Sequence, residues 1–345
     1  MQIEKVLPDV IFKIEELCKD KSKLKGIKSG YANIDAIINS FQKGAMIVLA
    51  ARPSVGKTSL AMNIVENIAL NGYSCAVFSL EMTKDEIVER MLCSVSGVPM
   101  GNTKRGKVDS LEWRKLLRAK ELLAKAKIFI DDSSIIRPRE IMSKCRRIKR
   151  KHGLDFVMID YIGLMTPDRV RSSDSRQNEI SEISRSLKIL AKELEVPVLA
   201  LSQLNRAVET RKGRPQLSDL RESGAIEQDA DIVMFIHRPD KGATETEIAE
   251  GKVKKNVAEI IVEKNRSGKT DTARLYFKGE CTKFINLNEE TGEPDDEDGE
   301  RPQNNQNVSA SGYEPLPPSN EDFPEPPPED FDSANVVKSV DDELF

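Results

Sequence analysis

A short apolar stretch runs directly into Gly-Lys-Thr and then into an amphipathic stretch, all within residues 46–64. Residues 46–50 have the uninterrupted apolar character of a buried strand, and apolar side chains recur at helical spacing after the glycine. A strand, a loop and a helix in this order form the setting of a phosphate-binding P-loop. The consensus G-x-x-x-x-G-K-[ST] begins with glycine where this chain has Ala51, so the match rests on residues 56–58. An ordinary helix start that happens to read Gly-Lys-Thr is the alternative, and it explains the flanking stretches less well.

The P-loop predicts a nucleotide site in which each part has its own task. Backbone N–H groups of residues 54–58 converge at the positive end of a helix and can cradle a phosphate. Lys57 would reach the outer phosphates, and the hydroxyl of Thr58 would bind Mg²⁺. The predicted cofactors are therefore ATP and Mg²⁺. The predicted nucleotide-binding residues are Arg52, Pro53, Ser54, Val55, Gly56, Lys57, Thr58 and Ser59.

Polar side chains follow three further predicted strands, where they would meet the phosphates. Glu81 comes directly after the apolar run 74–80 and suits a general base that polarises water. Asp160 ends the run 156–159, where a carboxylate can bind Mg²⁺ directly or through water. Gln203 could contact the γ-phosphate, although a loop glutamine bonded to backbone is the alternative. A lone acid after a strand is usually a helix cap or a surface residue, but two such acids beside a P-loop favour a functional interpretation.

Apolar runs alternate with helical patterns along residues 26–288. Short, uninterrupted runs separated by helices predict an α/β fold with a mainly parallel central sheet covered on both faces. Beyond them, residues 257–264 and 272–277 flank a turn and predict an antiparallel hairpin, and residues 283–287 predict a last strand. The runs assigned to the parallel part are residues 46–50, 74–80, 128–130, 156–159, 196–201 and 232–236.

Composition separates residues 289–345 from the rest of the 345-residue chain. From residue 293 onward the chain holds 16 of the 57 acidic residues, 2 of the 53 basic residues and 9 of the 17 prolines. Such a stretch cannot bury enough apolar surface to fold, so we predict a disordered, Pro-rich acidic tail. The preceding residues keep 51 basic against 41 acidic side chains, a net charge of +10. This surplus favours a polyanionic partner, although it also serves solubility.

The first 25 residues predict a linker or docking helix followed by a joint. Apolar residues between Ile3 and Cys18 fall on one side of a helical repeat, with the helix itself predicted over residues 8–19. The lysine-rich joint at residues 19–25 separates this helix from the body of the chain. The apolar side could therefore dock on a neighbouring subunit, and packing on its own domain is the alternative.

Cysteine and histidine usage excludes some classes of site. The five cysteines include no C-x-x-C pair and the chain has two histidines, so we expect reduced thiols and no zinc site. The N-terminus lacks a cleavable hydrophobic core, and no apolar stretch reaches 18 residues. We therefore expect a cytoplasmic, soluble protein with no membrane partner.

Five segments of the sequence contain the candidate site residues and their neighbours. They are Leu-Ala-Ala-Arg-Pro-Ser-Val-Gly-Lys-Thr-Ser at 49–59, Phe-Ser-Leu-Glu-Met at 78–82, Val-Met-Ile-Asp-Tyr at 157–161, Leu-Ser-Gln-Leu-Asn-Arg at 201–206 and Asp-Leu-Arg-Glu-Ser-Gly-Ala-Ile-Glu-Gln-Asp-Ala-Asp at 219–231. Together they resemble the motifs of DnaB-family replicative DNA helicases. Their order and spacing match as well, and the likeness runs from about residue 8 to residue 287. The family's N-terminal helical domain, which contacts primase, has no counterpart in this sequence, and an acidic tail is not part of the usual pattern.

The resemblance implies a RecA-like P-loop NTPase core that works in a ring of six. In such helicases each ATP lies between subunits, and Lys264 and Arg266 match the basic residues that a neighbour supplies to the γ-phosphate. A solvated hairpin tip is the alternative for these two. Arg221, Glu222 and Gly224 match the loop that lines the central pore and holds single-strand phosphates. With 5% aromatic residues, no base-stacking platform is evident, so we expect phosphate tracking without sequence preference.

The resemblance predicts an ATP-dependent hexameric helicase that moves 5′ to 3′ on single-stranded DNA and unwinds forked duplexes. A RecA-like repair or recombination ATPase without ring helicase activity is the alternative, and a binding protein that has lost hydrolysis is a third. Primase, a helicase loader or other replisome proteins could bind the tail, which ends in Leu344 and Phe345. The basic run at residues 144–151 is better interpreted as the solvated face of a helix.

Overall fold

One mixed sheet of nine strands organises the part of the chain that the structure describes. This computed structural model describes residues 26–168, 175–204 and 213–288, with residues 3–5, 7, 8, 11, 12, 15 and 294 in addition. Two short strands, β1 (Gly26–Ile27) and β2 (Phe41–Gln42), form a separate antiparallel ribbon. The strands of the large sheet are β3 (Met46–Ala51), β4 (Cys75–Ser79), β5 (Ile128–Asp131), β6 (Phe156–Asp160), β7 (Val198–Gln203), β8 (Ile232–His237), β9 (Val257–Asn265), β10 (Asp271–Lys278) and β11 (Lys283–Asn286).

The strand order of the large sheet is β11-β10-β9-β8-β3-β7-β6-β4-β5. The six strands from β8 to β5 are parallel, and β9, β10 and β11 extend the sheet as antiparallel neighbours of β8. The carboxyl ends of β3, β4, β6 and β7 therefore meet at one edge, which is where α/β folds place their ligands. This arrangement confirms the predicted mainly parallel sheet and the predicted hairpin after it.

The strands lie within two residues of their predicted bounds. One difference has a simple physical reason: the apolar run begins at Val196, but β7 begins at Val198. Pro197 lies between them and has no N–H to donate to a strand ladder.

Helices cover both faces of the sheet, as the uninterrupted apolar strands require. Along β3, Ile47 and Leu49 enter the core on one face, whereas Met46 and Val48 enter the core on the other. The α-helices of the described residues are α1 (Ala32–Ile38), α2 (Lys57–Leu70), α3 (Lys84–Ser96), α4 (Met100–Lys104), α5 (Ser110–Lys125), α6 (Pro138–His152), α7 (Arg176–Leu194), α8 (Gly224–Asp229) and α9 (Glu245–Ala249).

Helix α6 carries the basic run and shows why that run is a helix face. Ile141, Cys145 and Ile148 are fully buried against the sheet, so the charged residues between them turn outward. Lys144 pairs with Asp131, the last residue of β5, and the other basic residues are partly or fully exposed. The interpretation of this run as a solvated face is confirmed.

The structure describes only part of the N-terminal segment, residues 1–25. Residues 7, 8, 11, 12 and 15 are helical, and the side chains of Ile3, Leu7, Ile11 and Phe12 are exposed. The rest of the predicted linker helix and joint, like nearly all of the predicted tail, lies outside the described residues. Within the described residues, we find no helix with the length and apolar character needed to cross a bilayer.

Candidate nucleotide-binding and hydrolysis site

The P-loop lies between β3 and α2, as the sequence predicts. Ser54 and Gly56 adopt left-handed backbone conformations, with φ of +61° and +104°, which turn the chain sharply into the helix. Helix α2 has no side-chain N-cap, and its first return hydrogen bond runs from Leu60 N to Gly56 O at 2.9 Å. The amides of residues 57–59 thus stand at a helix N-terminus without an intrahelical acceptor, which is the arrangement that binds phosphate.

Exposure distinguishes the roles that the loop residues can take. Pro53 and Ser54 are exposed at the outer side of the loop, whereas Val55 is buried beneath it. Ser59 is also buried, in the first turn of α2. A contribution of Ser59 to nucleotide binding would therefore come from its backbone N–H.

Asp160 and Thr58 come together at the carboxyl edge of the sheet. Thr58 Oγ1 donates to Asp160 Oδ2 at 2.7 Å, and Lys57 Nζ lies 3.6 Å from Asp160 Oδ1. Asp160 is almost fully buried, and its Oδ1 accepts no hydrogen bond from the described residues. A hydroxyl, a carboxylate and an unsatisfied buried carboxylate oxygen are the donor set that Mg²⁺ prefers, so these residues fit the predicted metal.

Tyr161 also belongs to the site, which the sequence analysis missed. Lys57 Nζ lies 4.6 Å from the centre of the Tyr161 ring, within the range of a cation–π contact. Burial lowers the pKa of Lys57, and the charges of Asp160 and Glu81 act in the opposite direction. Tyr161 stood in the sequence next to Asp160, but nothing in the pattern showed that its ring faces the P-loop lysine.

Glu81 is presented by a tight turn after β4. Ser79 Oγ accepts from Met82 N at 3.1 Å and donates to Met82 O at 2.8 Å, which encloses residues 80 and 81. The turn is attached to the end of β6, because Leu80 N donates to Asp160 O at 2.7 Å. Glu81 is exposed, and its charge contributes to the raised pKa of Tyr161, after burial. The predicted base therefore lies near Tyr161 and Lys57 while its carboxylate remains open to water.

Gln203 and Arg52 extend the site along the same edge. Gln203 ends β7 directly beside Ala51, the last residue of β3, and its side chain is exposed. Arg52 follows Ala51 and donates to Gly213 O at 3.1 Å. The structure thus brings together all predicted site residues that follow β3, β4, β6 and β7.

The P-loop rests on the last strands of the domain, a second feature that the sequence analysis missed. A Cβ on Gly56 would stand 3.0 Å from the ring of Phe284 and 3.5 Å from that of Phe277. These two rings contact each other with their centres 4.5 Å apart. Phe284 N also donates to Asn63 Oδ1 of α2 at 2.8 Å. Gly56 is therefore required both for its backbone conformation and for the close approach of the Phe284 ring.

Lys264 and Arg266 lie elsewhere. Lys264 Nζ donates to Glu227 O at 2.5 Å, and Arg266 donates to Gln228 O and lies 3.4 Å from Asp231 Oδ1. Burial and the neighbouring charge of Arg266 lower the pKa of Lys264. Both cations are thus held at the C-terminal end of α8.

Strand register places these cations near the amino ends of the parallel strands, whereas the P-loop lies at their carboxyl ends. Asn265 pairs with Ile232 at the start of β8, and Ile232 in turn pairs with Ile47. The P-loop begins only after Ala51, four residues farther along, which corresponds to about 13 Å of strand. Arg266 therefore faces away from the nucleotide site of its own chain.

The residues predicted to bind DNA are only partly described. Arg221 and Glu222 lie in the 3-10 segment Leu217–Ser223, and their side chains lie outside the described part. Gly224 begins α8, is exposed, and has no atom within 4 Å of the position of a Cβ. Their role in DNA binding stays a prediction.

The chain is similar in sequence to known proteins. Residues 26–286 match the model of the DnaB-like helicase C-terminal domain. Replicative DNA helicase DnaC of Bacillus subtilis is 46% identical over 287 residues, covering 83% of this chain and 62% of that protein. Replicative DNA helicase DnaB of Geobacillus stearothermophilus is 45% identical over 287 residues, which again cover 83% of this chain and 62% of that protein. The chain thus spans less than two thirds of the length of these curated relatives.

Solved structures show the same similarity in three dimensions. One of them, an ATPase domain, is 37% identical with a TM-score of 0.75, and the match covers 82% of this chain and 99% of that one. A DnaB-like replicative helicase, described with its interactions with primase, is 37% identical with a TM-score of 0.74, covering 84% of this chain and 67% of that one. The family match, the identity of the relatives and the geometry of the site agree, and the chain belongs to the family of DnaB-like helicase C-terminal domains.

Proposed function

We propose that this chain forms the ATP-hydrolysing ring of a hexameric replicative DNA helicase, which moves 5′ to 3′ on single-stranded DNA and unwinds duplex DNA at a fork in the cytoplasm. The direction of movement is carried over from the family resemblance. The curated relatives are replicative helicases by name, which favours this function over a RecA-like repair or recombination ATPase.

The observation that carries the proposal is the position of Arg266 and Lys264. Both cations lie at the edge of the sheet opposite the P-loop of their own chain. A hydrolysis site that needs such cations can obtain them only from another subunit, so a ring with shared sites accounts for the arrangement. Arginines that act in this way elsewhere accelerate phosphoryl transfer by about 10³- to 10⁵-fold.

Each side chain at the P-loop edge then has a task in hydrolysis. Lys57 neutralises charge on the outer phosphates, and Glu81 accepts a proton from the attacking water. Gln203 contacts the γ-phosphate from the end of β7. Thr58 and Asp160 would hold Mg²⁺, which supplies neutralisation of the phosphate charge when it is bound.

DNA binding is proposed for the segment that precedes α8. Arg221, Glu222 and Gly224 would contact single-strand phosphates inside the ring through side chains and backbone N–H groups. Contacts to phosphate alone give affinity that falls steeply with salt and varies little with sequence. DNA affinity should show both properties.

The two ends of the chain are proposed to make further protein contacts. The exposed residues Ile3, Leu7 and Ile11 belong to the predicted apolar side, which would dock on the neighbouring subunit. The acidic tail would bind primase, a loader or another replisome protein through Leu344 and Phe345, or it would occupy the basic pore. Deletion of Leu344 and Phe345 alone should abolish partner capture, whereas truncation at residue 292 should tighten DNA binding if the tail occupies the pore. If neither deletion changes any interaction, the tail only aids solubility.

The function is tested by strand displacement on forked duplexes whose single-stranded tails differ in polarity. Native mass spectrometry of the same preparations, with and without nucleotide, measures the mass of the assembly and hence the number of subunits. We expect a hexamer and ATP-dependent displacement only when a 5′ tail is present, with Lys57→Ala as the inactive control. A monomer that hydrolyses ATP without displacing either fork would support the recombination-type alternative.

A further inference from the structure

The P-loop is tied to the chain segment that carries the predicted DNA contacts. Arg52, the first residue of the loop, donates to Gly213 O at 3.1 Å. The next residue, Arg214, donates to Glu259 Oε1 of β9 at 2.7 Å. Two consecutive residues of one segment are therefore held from two directions, one from the nucleotide site and one from the sheet.

The carboxylate of Glu259 is mostly buried, and it therefore depends on its ion pair with Arg214. Its side chain is 10% exposed, whereas that of Arg214 is 55% exposed. The other carboxylate oxygen, Oε2, is buried and accepts no hydrogen bond from the described residues. Glu259 stands opposite His237 at the carboxyl end of β8, so the ion pair lies at the same sheet edge as the P-loop. A buried carboxylate satisfied at one oxygen depends strongly on the group that pairs with it.

The segment that starts at this ion pair, residues 213–228, ends at Lys264 and Arg266, near the amino ends of the parallel strands. After the 3-10 turn, α8 offers the carbonyls of Glu227 and Gln228 to Lys264 and Arg266. Between the two ends lie the predicted DNA residues Arg221 and Gly224. Residues 213–228 thus connect the nucleotide site of one chain, its DNA contacts and the cations that would serve the next subunit.

We propose that Arg214 is a positioning residue: its ion pair with Glu259, next to the Arg52–Gly213 hydrogen bond, couples the nucleotide site to residues 213–228. A shift of the P-loop on ATP binding is transmitted through the Arg52–Gly213 hydrogen bond to residues 213–228. This requires the Arg214–Glu259 ion pair, because the pair keeps the start of that segment from moving independently of the sheet. Without the ion pair, the start of the segment loses this attachment to β9. This inference rests on the proposed helicase function, since it requires that DNA and nucleotide bind to the same chain.

The ion pair suits mutation because Arg214 is mostly exposed and fills no part of the core. Arg214→Ala removes the pair, Arg214→Lys keeps the charge, and Glu259→Gln keeps the shape of the partner while removing its charge. Arg146→Ala is the matched control, since it breaks the exposed Arg146–Glu193 pair, which joins α6 to α7 and not the segment to β9. None of these residues touches the predicted phosphate site.

The experiment measures the dissociation constant for single-stranded DNA with and without a non-hydrolysable ATP analogue, together with basal and DNA-stimulated ATP hydrolysis. Energetic coupling between sites commonly amounts to factors of about 5 to 150. We expect Arg214→Ala to reduce the effect of nucleotide on DNA affinity, and of DNA on hydrolysis, by about fivefold or more. Basal hydrolysis and nucleotide affinity should stay at the parent values. Arg214→Lys should restore part of the coupling, and Arg214→Ala combined with Glu259→Gln should be no worse than Arg214→Ala alone.

Two results would overturn the proposal while leaving the helicase function intact. One is parental coupling in Arg214→Ala, and the other is a parallel loss of nucleotide affinity and basal hydrolysis, which indicates a merely structural role. A parent protein in which DNA and nucleotide do not affect each other would overturn both the coupling and the proposed function.

Hydrogen exchange gives an independent readout of the coupling. The analogue should slow amide exchange in residues 213–228 of the parent and of Arg146→Ala, and unchanged protection in Arg214→Ala would contradict the proposal.

Discussion

Thr58 Oγ1 donates a hydrogen bond of 2.7 Å to Asp160 Oδ2, which joins the first turn of α2 to the end of β6. These two oxygens come from residues about 100 positions apart, and they meet because β3 and β6 end at the same edge of the sheet. Both groups are the ligands proposed for Mg²⁺.

Asp160→Asn tests this pair. The substitution keeps the size of the side chain and one oxygen that can accept from Thr58, but it removes the charge and replaces the second oxygen with an NH2 donor, so the fold should persist. We expect the rate of ATP hydrolysis at saturating Mg²⁺ to fall about 100-fold or more, a loss typical of removing one electrostatic group from an active site. Thr58→Ser, which keeps the hydroxyl, should hydrolyse ATP at close to the parent rate. A magnesium titration of both variants distinguishes weak metal binding from slow turnover.

Tyr161 is expected to hold Lys57 through its ring. A cation–π contact contributes about 0.5–2 kcal/mol, so Tyr161→Leu should weaken ATP binding by about 2- to 30-fold. Tyr161→Phe keeps the ring and should bind ATP as the parent does. Fluorescent nucleotide titration measures both. Equal losses in the two variants would show that the hydroxyl, and not the ring, is what matters.

Glu81→Gln should bind ATP with nearly unchanged affinity and lose turnover. The side chain is exposed and presented by a turn, so its amide replacement costs the fold little. The comparison is with Lys57→Ala, which should lose both binding and hydrolysis. Hydrolysis by Glu81→Gln at the parent rate in the presence of single-stranded DNA would remove Glu81 from the role of base.

Arg266→Ala should impair hydrolysis without greatly weakening ATP binding by an isolated subunit, because the side chain faces away from its own P-loop. Mixed rings test this directly. Combining Arg266→Ala subunits with Lys57→Ala subunits recreates some interfaces in which an intact P-loop meets an intact arginine, so activity should partly return. Rings shown to be mixed by native mass spectrometry but without recovered activity would contradict a role in trans.

His237 reports on the Arg214–Glu259 ion pair. Burial lowers the pKa of His237, the charge of Glu259 raises it, and Arg52 and Arg214 lower it. Arg214→Ala should therefore raise this pKa, and Glu259→Gln should lower it further. The chain has two histidines, so the NMR titration of labelled imidazole carbons, with His152→Asn for assignment, separates the two curves.

The same shift determines how His237 affects stability. Because the folded-state pKa lies below the ordinary value of about 6.5, the unfolded chain binds the proton first as pH falls. The contribution of His237 to the free energy of unfolding is therefore lost as pH decreases from about 6.5 towards the folded-state pKa. Arg214→Ala should reduce this loss, which denaturant titrations at several pH values can measure.

The sequence predicted the sheet well because buried parallel strands leave a strong local signal. Runs such as residues 156–159, before Asp160, and residues 198–201, two positions before Gln203, are apolar throughout, and polar residues that follow them mark the edge where ligands bind. The predicted meeting of Lys57, Thr58 and Asp160 follows from that edge alone. Pro197 moved one strand start, through a backbone effect that an apolar pattern does not show.

The contacts that the sequence did not predict depend on strand order and register. The family resemblance alone implied that Arg266 serves a neighbouring subunit; its distance from its own P-loop follows from the antiparallel pairing of β9 with β8, which no spacing in the sequence indicates. The Tyr161 ring and the Arg214–Glu259 pair depend on side-chain directions at the ends of strands. The approach of Phe284 to Gly56 joins residues from opposite ends of the domain, so a local pattern could not reveal it.

The support of the P-loop by the last strand has a consequence for synthesis of the chain on the ribosome. Phe284 binds α2 through Asn63, across 221 positions of sequence, and its carbonyl accepts from Tyr31 Oη at 3.3 Å. A nascent chain carries the complete Gly-Lys-Thr motif long before it carries the ring on which that motif rests. We therefore expect nucleotide binding to begin only after β11 has left the exit tunnel. Chains released early or clipped before this strand would then fail to hold ATP, and they could not enter a ring as nucleotide-loaded but inactive members.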